Sequence, residues 1–318
     1  MKETYSRSKS VWQRMNARER KAAMAYGEKY KAFLDTARTE RLAAAEIIRR
    51  AEEKGFKPVY TMKSLKAGDK VYWNQKDKSV ILAVIGKEPV HEGIKIVGSH
   101  IDSPRLDLKA NPVHEQDGIV YFRTHYYGGI KKYQWTCIPL ALIGVVFTKD
   151  GKKVDINIGL KDSDPVFYVS DLLIHMAQDQ MKKTLAEGIT GEQLQAVAGT
   201  HSEEGQTPKD AIMTLLKREY GIEEEDFAAA ELELVPATKS RDVGFDRSLI
   251  ASYGQDDRVC SYANLEAILD AKPGVKTQAA LLTDKEEIGS YGNTGMESSY
   301  FVKFVMKLLA LQGQGSLL

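Results

Sequence analysis

Hydrophobic and polar positions alternate along this chain with two periods, and the switches between them divide it. From about Ser10 to Gly55 the pattern is helical. The stretch TARTERLAAAEIIRRAEEKG is rich in helix formers, and Gly55 stands where the residue just past a helix end is expected. Its apolar stripe predicts core packing. KSVILAVIGK and IKIVGSH then read as two strands with a short loop between them, the opening half of a helix-covered sheet. In the second, Ile94, Ile96 and Val97 predict a buried strand that runs out at Gly98.

The pattern changes between about Lys109 and Phe245. GIVYFRTHYYGGI and IPLALIGVVF predict strands, with a turn at Lys149-Asp-Gly151. DLLIHMAQDQMKKTLAEG predicts an amphipathic helix. TPKDAIMTLLKREYG predicts another, with Thr207 as N-cap and Pro208 at its first position. Near Arg247 the earlier character resumes. A helical pattern follows Asp257, a strand precedes Asp284, and YFVKFVMKLLALQ reads as a last helix.

Composition narrows the class. The chain has 318 residues, 43% hydrophobic and 28% charged, which suits a large core or two domains. A formal charge of +1 gives no reason to expect nucleic acid or an anionic membrane. The longest apolar run, CIPLALIGVVF, is about half the length needed to span a bilayer. The N-terminus lacks an apolar signal core. The two cysteines, Cys137 and Cys260, form no disulfide or metal framework, so a cytoplasmic location is expected.

Three segments carry candidate chemistry. In Val97-Gly-Ser-His-Ile-Asp-Ser-Pro-Arg105, His100 stands at a strand's C-terminal end, where open α/β sheets place ligands. Asp102 lies two residues on, so in extended backbone both side chains face one site. A metal-bound histidine usually gives its second ring proton to a carboxylate or carbonyl, and Asp102 is placed for that. A lone polar histidine at a loop start is the competing reading. Gly254-Gln-Asp-Asp-Arg258 precedes a helix, and Thr283-Asp-Lys-Glu-Glu-Ile-Gly-Ser290 follows a strand. A dinuclear site needs a bridging carboxylate and further ligands. The aspartate pair offers a bridge, and the glutamate pair offers one ligand and one free base. Neighbouring glutamates serve one site only if the backbone bends, which Gly289 eases. Each pair alone reads as a solvated loop; the ordered set is far more specific.

On VGSHIDSPRLDLK, HYYGGIKKYQW, SYGQDDRVCSYANLEA and TDKEEIGSYGNTGMESS, in that order, the chain resembles the aspartyl aminopeptidase/aminopeptidase I family of zinc exopeptidases. The resemblance runs from the N-terminal helices to the last helix and is nearer the microbial aminopeptidase I branch. It implies an α/β fold: a helix-covered mixed-sheet catalytic domain of the zinc exopeptidase type, residues 1–108 and 246–318. A β-rich dimerisation domain, residues 109–245, would interrupt it. It also implies two Zn²⁺ ions per subunit. His100 would hold one, Glu287 the other, and Asp256 would bridge them. Glu286 would be the general base and Asp102 would orient His100. Asp257 would stand behind these ligands, joined to Asp256 by a cis peptide. The implied reaction removes single N-terminal residues from short peptides, with neutral, Leu-like residues preferred over Asp or Glu. Self-association from dimers to dodecamers is implied too. His175, read alone as a packed or surface histidine, would then reach a neighbouring subunit's site. Arg258 is expected in a structural ion pair, and His125 is the lesser candidate for a site role.

The pattern departs from the family's in one respect. The family's site takes a further Asp and a final His from well downstream. Only 28 residues follow Ser290, with no histidine and Glu297 as the one acid. The expectation is therefore a chain truncated at its C-terminus. The competing reading is a catalytically incomplete fragment or pseudoenzyme that keeps fold and assembly contacts. A metal-dependent deacylase or carboxypeptidase fits less well, because HYYGGIKKYQW argues against it.

Overall fold

The helical period ahead of Gly55 resolves into α1 (Val11–Arg14), α2 (Ala17–Thr36) and α3 (Glu40–Glu53) in the computed structural model, which describes residues 10–317. Asn16 caps α2 by accepting from the Glu19 amide at 3.0 Å, and Glu19 reaches back to the Asn16 amide at 2.8 Å. Thr39 caps α3. Gly55 follows with φ +83°, the left-handed conformation that ends the helix. Next come β1 (Lys57–Pro58), β2 (Lys70–Gln75), β3 (Ser79–Val84) and β4 (Ile94–His100). The middle holds β5 (Arg105–Gln116), β6 (Ile119–Tyr127), β7 (Pro139–Phe147), β8 (Lys153–Ile158), β9 (Phe167–Tyr168), the single turn α4 (Leu185–Gly188), β10 (Ala196–Gly199), α5 (Pro208–Tyr220) and β11 (Ala230–Pro236). A hairpin of β12 (Arg241–Val243) and β13 (Leu249–Ala251) leads to α6 (Gln255–Leu269), β14 (Thr277–Thr283) and α7 (Tyr300–Leu311).

Two sheets result. The first is mixed, in the order β1-β2-β3-β14-β4. Alternate residues of β3 face opposite ways. Val80, Leu82 and Val84 pack with Phe33, Leu34 and Ile47 of α2 and α3 and with Tyr262 and Leu265 of α6. Ile81 and Ala83 pack with Tyr300, Phe304 and Leu308 of α7. Helices thus cover both faces. The second sheet is antiparallel, in the order β11-β5-β6-β10-β9-β7-β8, and β11 also pairs with β7, which closes the sheet on itself. Its interior holds Leu106, Val120, Phe122, Leu140, Leu142 and Leu234. The mixed α/β architecture agrees with the sequence reading. Among the described residues no helix is long and apolar enough to cross a membrane.

Two expectations are corrected. β4 is not buried: it is the sheet's edge strand, paired only with β14, and Ile96 and Val97 are 46% and 54% exposed. Asp171–Gly188 is not an amphipathic helix but a run of turns with one 3₁₀ turn and α4. Leu172, Leu173, Ile174, Met176 and Met181 stay exposed there. An amphipathic helix is stabilised mainly by packing its apolar face, and among the described residues these side chains have no covering surface.

Buried charges join the two sheets and α3. Glu40 of α3 is fully buried, 3.2 Å from Arg105 of β5 and 3.2 Å from Lys78, just ahead of β3. Arg105 also meets Glu233 of β11 at 3.3 Å and Asp107 at 2.8 Å. Burial pushes both Glu40 and Glu233 upward. For Glu40 the charges of Arg105 and Lys78 outweigh burial and hold it below the usual carboxylate range. Glu233, beside Glu40 and Asp107, is held well above it. This charge network continues to Asp284, directly after β14. Asp284 is 1% exposed; its Oδ2 accepts from Thr294 at 2.6 Å, and its Oδ1 has no partner. Burial, then the charge of Glu40, raises it to about 6, against the pull of Thr294 and Lys78. A carboxyl held above its unfolded value releases its proton first in the unfolded chain. It therefore lowers stability as pH rises from about 4 to 6. Asp284→Asn removes this loss. The variant is expected to gain on the wild type across that window, by on the order of 2 kcal/mol at neutral pH. Urea unfolding of both proteins from pH 4 to 7 checks this; a stability difference that does not change with pH refutes it.

Candidate metal centre

Parallel pairing places the site. β4 and β14 run side by side in register, with Thr283 opposite His100. Their C-terminal ends therefore leave the sheet together, delivering His100 from one and the Asp284–Ser290 turn from the other. The start of α6 is fastened across this edge. Ser261 Oγ donates to the His100 carbonyl at 2.8 Å, and Ser103 Oγ to the Asp256 carbonyl at 2.8 Å. The Asp256–Asp257 peptide is cis, and both residues lie outside helical geometry.

Three of the sequence candidates come together. His100 Nε2 lies 3.2 Å from Asp256 Oδ1. His100, Asp256 and Glu287 each offer one ligand atom, all within 4.8 Å of one another. Zinc–ligand bonds near 2.0–2.1 Å with tetrahedral angles put neighbouring donors about 3.4 Å apart, so the His100–Asp256 spacing suits one cation. Imidazole and carboxylates are also the donors that zinc takes. Glu286 Oε2 stands 3.6 Å from the same His100 nitrogen, on a side chain 58% exposed.

The two glutamates share the site because the backbone bends. Glu286–Ile288 form a 3₁₀ turn entered through Lys285 at φ +69° and left through Gly289 at φ +87°. The turn is held by Asp102. The Glu286 and Glu287 amides donate to its two carboxylate oxygens at 3.3 and 3.2 Å. His100 Nδ1 lies 3.2 Å from Asp102 Oδ1 and 3.0 Å from the Asp102 carbonyl. Nε2 is therefore the ring nitrogen turned toward Asp256. Asp102 is fully buried, which by itself raises its pKa; hydrogen bonds from His100, Tyr127 and the Glu287 amide lower it below the usual value. Burial works against a charged His100, but the bond to Asp102 and the charges of Asp102 and Glu286 prevail and lift it to about 9. Glu287 is raised by burial and by Asp102, Asp256 and Glu286, with His100 opposing.

Other candidates fall outside this cluster. His175 lies exposed in the Asp171–Gly188 turns and is not among the converging donors. His125 is exposed on β6, stacked on Tyr126. The expected ion pair of Arg258 is corrected. The side chain is 1% exposed, lies 5.5 Å from the Tyr253 ring centre and donates to the Arg38 carbonyl, and it has no carboxylate within 4.0 Å among the described residues. Its guanidinium packs against Gly254, where a Cβ would fall 1.7 Å from Nη1. Aromatic and carbonyl contacts thus take the place of a carboxylate.

Two contributors were missed in the sequence. Tyr127 donates to Asp102 Oδ2 at 2.7 Å. Gly128, at φ +72°, lets Glu287 approach: a Cβ there would fall 3.2 Å from the Glu287 Cβ. Both lie in HYYGGIKKYQW, where a tyrosine and a glycine beside the small-residue turn were the available signal.

A model of the aminopeptidase I zinc metalloprotease family, M18, matches residues 33–318. A probable M18 family aminopeptidase 1 of Clostridium acetobutylicum is 46% identical over 313 residues, 96% of this chain and 67% of that protein. The crystal structure of an M18 aminopeptidase from Thermotoga maritima superimposes with a TM-score of 0.91 at 41% identity, over 96% of this chain and 67% of the other. That of aminopeptidase I from C. acetobutylicum gives 0.87 at 44% identity, over 95% and 68%. A dodecameric Saccharomyces cerevisiae relative gives 0.70 at 18% identity, over 89% and 66%, a likeness of fold alone. The chain spans about two thirds of the length of these proteins. It belongs to the M18 family of aminopeptidases, peptide-bond hydrolases described as zinc metalloproteases.

Proposed function

We propose that this chain contributes His100, Asp256 and Glu287 to a dinuclear zinc site that removes single N-terminal residues from short peptides, with Glu286 as general base. The observation that carries the reading is the convergence of His100, Asp256 and Glu287 within 4.8 Å, beside a glutamate that this cluster does not use. His100 would hold one ion, Glu287 the other, and Asp256 both. Bound zinc would polarise the scissile carbonyl and make water acidic enough to attack near neutral pH.

The remaining roles belong to the chain's own groups. Glu286 takes the proton of the attacking water and returns it to the leaving amine. Its exposed carboxylate, 3.6 Å from His100 Nε2, is within reach of a water at the ligand cluster. Asp102 holds the Nδ1 side of His100, which would leave the Nε2 lone pair for a bound zinc. Glu286→Gln keeps size but cannot accept that proton. Turnover of an aminoacyl-anilide is expected to fall by about 10²–10⁴-fold, with zinc content unchanged, and a chelator should remove both zinc and turnover. Full activity in the glutamine variant, or activity that survives chelation, would sink the mechanism.

The apolar side chains around His175 support self-association. Leu173 and Met176 are each 71% exposed, and Ile174 64%. Such contiguous exposure on a soluble chain marks an interaction surface. A second copy would cover it, carrying His175 to the neighbouring subunit's site, and the yeast relative is itself a dodecamer. Leu173→Asp is expected to shift the mass in light scattering toward monomer and to lower activity. A wild type already monomeric at working concentration contradicts this assembly.

We infer a preference for neutral, Leu-like N-terminal residues from the resemblance to the microbial aminopeptidase I branch, which the 46% identity to an aminopeptidase 1 supports. Leucyl substrates are expected to give a higher kcat/KM than aspartyl ones. Measured efficiencies in the opposite order would overturn the preference.

A further inference from the structure

We infer that Tyr127, clamped by Arg105, is a positioning residue of the metal centre: it fixes the Asp102 carboxylate that orients His100 and holds the Glu286–Glu287 turn. Tyr127 is the last residue of β6 and therefore belongs to the second sheet, whereas His100 and the turn end strands of the first. Its hydroxyl donates to Asp102 Oδ2 at 2.7 Å, and the tyrosine is 8% exposed. The same oxygen accepts the Glu287 amide at 3.2 Å, while Oδ1 accepts the Glu286 amide and faces His100 Nδ1. A carboxylate turns about its Cβ–Cγ bond, and only one orientation of its plane faces His100 and both amides at once. The short bond to Tyr127 on one oxygen fixes that plane, which leaves the other oxygen facing His100.

The tyrosine is itself held. The Arg105 guanidinium lies 3.8 Å from its ring centre. That guanidinium cannot drift, because Glu40, Asp107 and Glu233 meet it from α3, β5 and β11. A planar cation over an aromatic face is a favourable contact, stronger where water is excluded. The chain of contacts thus runs from a buried ion network through an aromatic ring to the carboxylate behind the histidine. Nothing else among the residues described for the second sheet hydrogen-bonds to Asp102.

This inference rests on the metal-site reading above, and its test separates the two. Tyr127→Phe deletes the hydroxyl and keeps the ring under Arg105. Hydrogen exchange on the metal-free protein reads the Glu286 and Glu287 amides, which donate to Asp102. Competition with a fluorescent chelator reads zinc affinity. The expected result is exchange faster by about tenfold at those two amides, with Ala280 in the core of β14 unchanged. Zinc affinity should fall by about ten- to a hundredfold, the usual range for groups behind a ligand, and kcat should fall more than KM. Arg105→Lys keeps the charge toward Glu40 but cannot lie flat on the ring; it should give a smaller version of the same pattern and serves if the phenylalanine variant does not fold. Tyr126→Phe, one residue away on the opposite face of β6, should change neither readout. Unchanged exchange at Glu286 and Glu287 overturns the positioning role, and so does changed exchange with unchanged zinc affinity. If the wild type and a His100→Ala variant bind zinc equally, the metal-site reading fails, and the inference fails with it. In that case the exchange data still show whether Tyr127 holds Asp102.

Discussion

A single buried carboxylate organises this site. Asp102 is fully buried and meets four donors: a tyrosine hydroxyl, an imidazole nitrogen and two backbone amides. An isolated carboxylate in such a place would be costly, and it remains ionised because each lone pair is used. The arrangement has geometric consequences. The donors come from the end of β4, the turn after β14 and the end of β6. Fixing one small group therefore fixes three chain segments with respect to one another. Removing the carboxylate would leave two amides and a hydroxyl buried without partners, so its loss would cost more than one hydrogen bond.

The same logic, on a larger scale, joins the two sheets. Their main cores are separate clusters of apolar side chains, and only a small cluster of Leu42 against Ala141, Ile143 and Val235 joins α3 to the second sheet. Between them lie Glu40, Lys78, Arg105, Glu233 and Asp284, all partly or wholly withdrawn from water. Apolar packing is tolerant of small shifts, whereas charge pairs at 3 Å with defined directions are not. A charged seam is a poor source of net stability. It does set one relative placement of the sheets, and Tyr127 and Gly128 reach Asp102 and Glu287 of the candidate site from across that seam.

How much of this was legible in the sequence depends on the range of the interaction. The N-terminal helices, the cap at Thr207 and the bend at Gly289 follow from local rules, and the structure has them. His100, Asp102, Asp256, Glu286 and Glu287 were legible as candidates because strand ends and short carboxylate motifs announce themselves. Three readings failed where tertiary context decides. β4 has a buried strand's composition but an edge strand's position. Asp171–Gly188 has a helical period without a surface on which to pack. Arg258 meets an aromatic ring and a carbonyl in place of a carboxylate. Tyr127 left only the bare presence of a tyrosine in HYYGGIKKYQW as a signal, since its partner lies 25 residues earlier, in the loop between β4 and β5.

The adjacent pair Glu286 and Glu287 shows how one turn makes two chemical environments from identical side chains. Lys285 enters the left-handed region, and the next residues tighten into a 3₁₀ turn. Successive side chains there point about a third of a turn apart. Glu287 is thereby directed against Gly128 and toward His100 and Asp256, where burial and neighbouring carboxylates raise its affinity for a proton. A cation placed among those carboxylates would take over the proton's role. Glu286 is directed outward, more than half exposed, with room for a substrate or a water beside it. A ligand and a base need opposite surroundings, one enclosed by other donors and one free to exchange protons. The turn supplies both within one dipeptide, and because its two amides are tied to Asp102, neither side chain can take the other's place without breaking the hub.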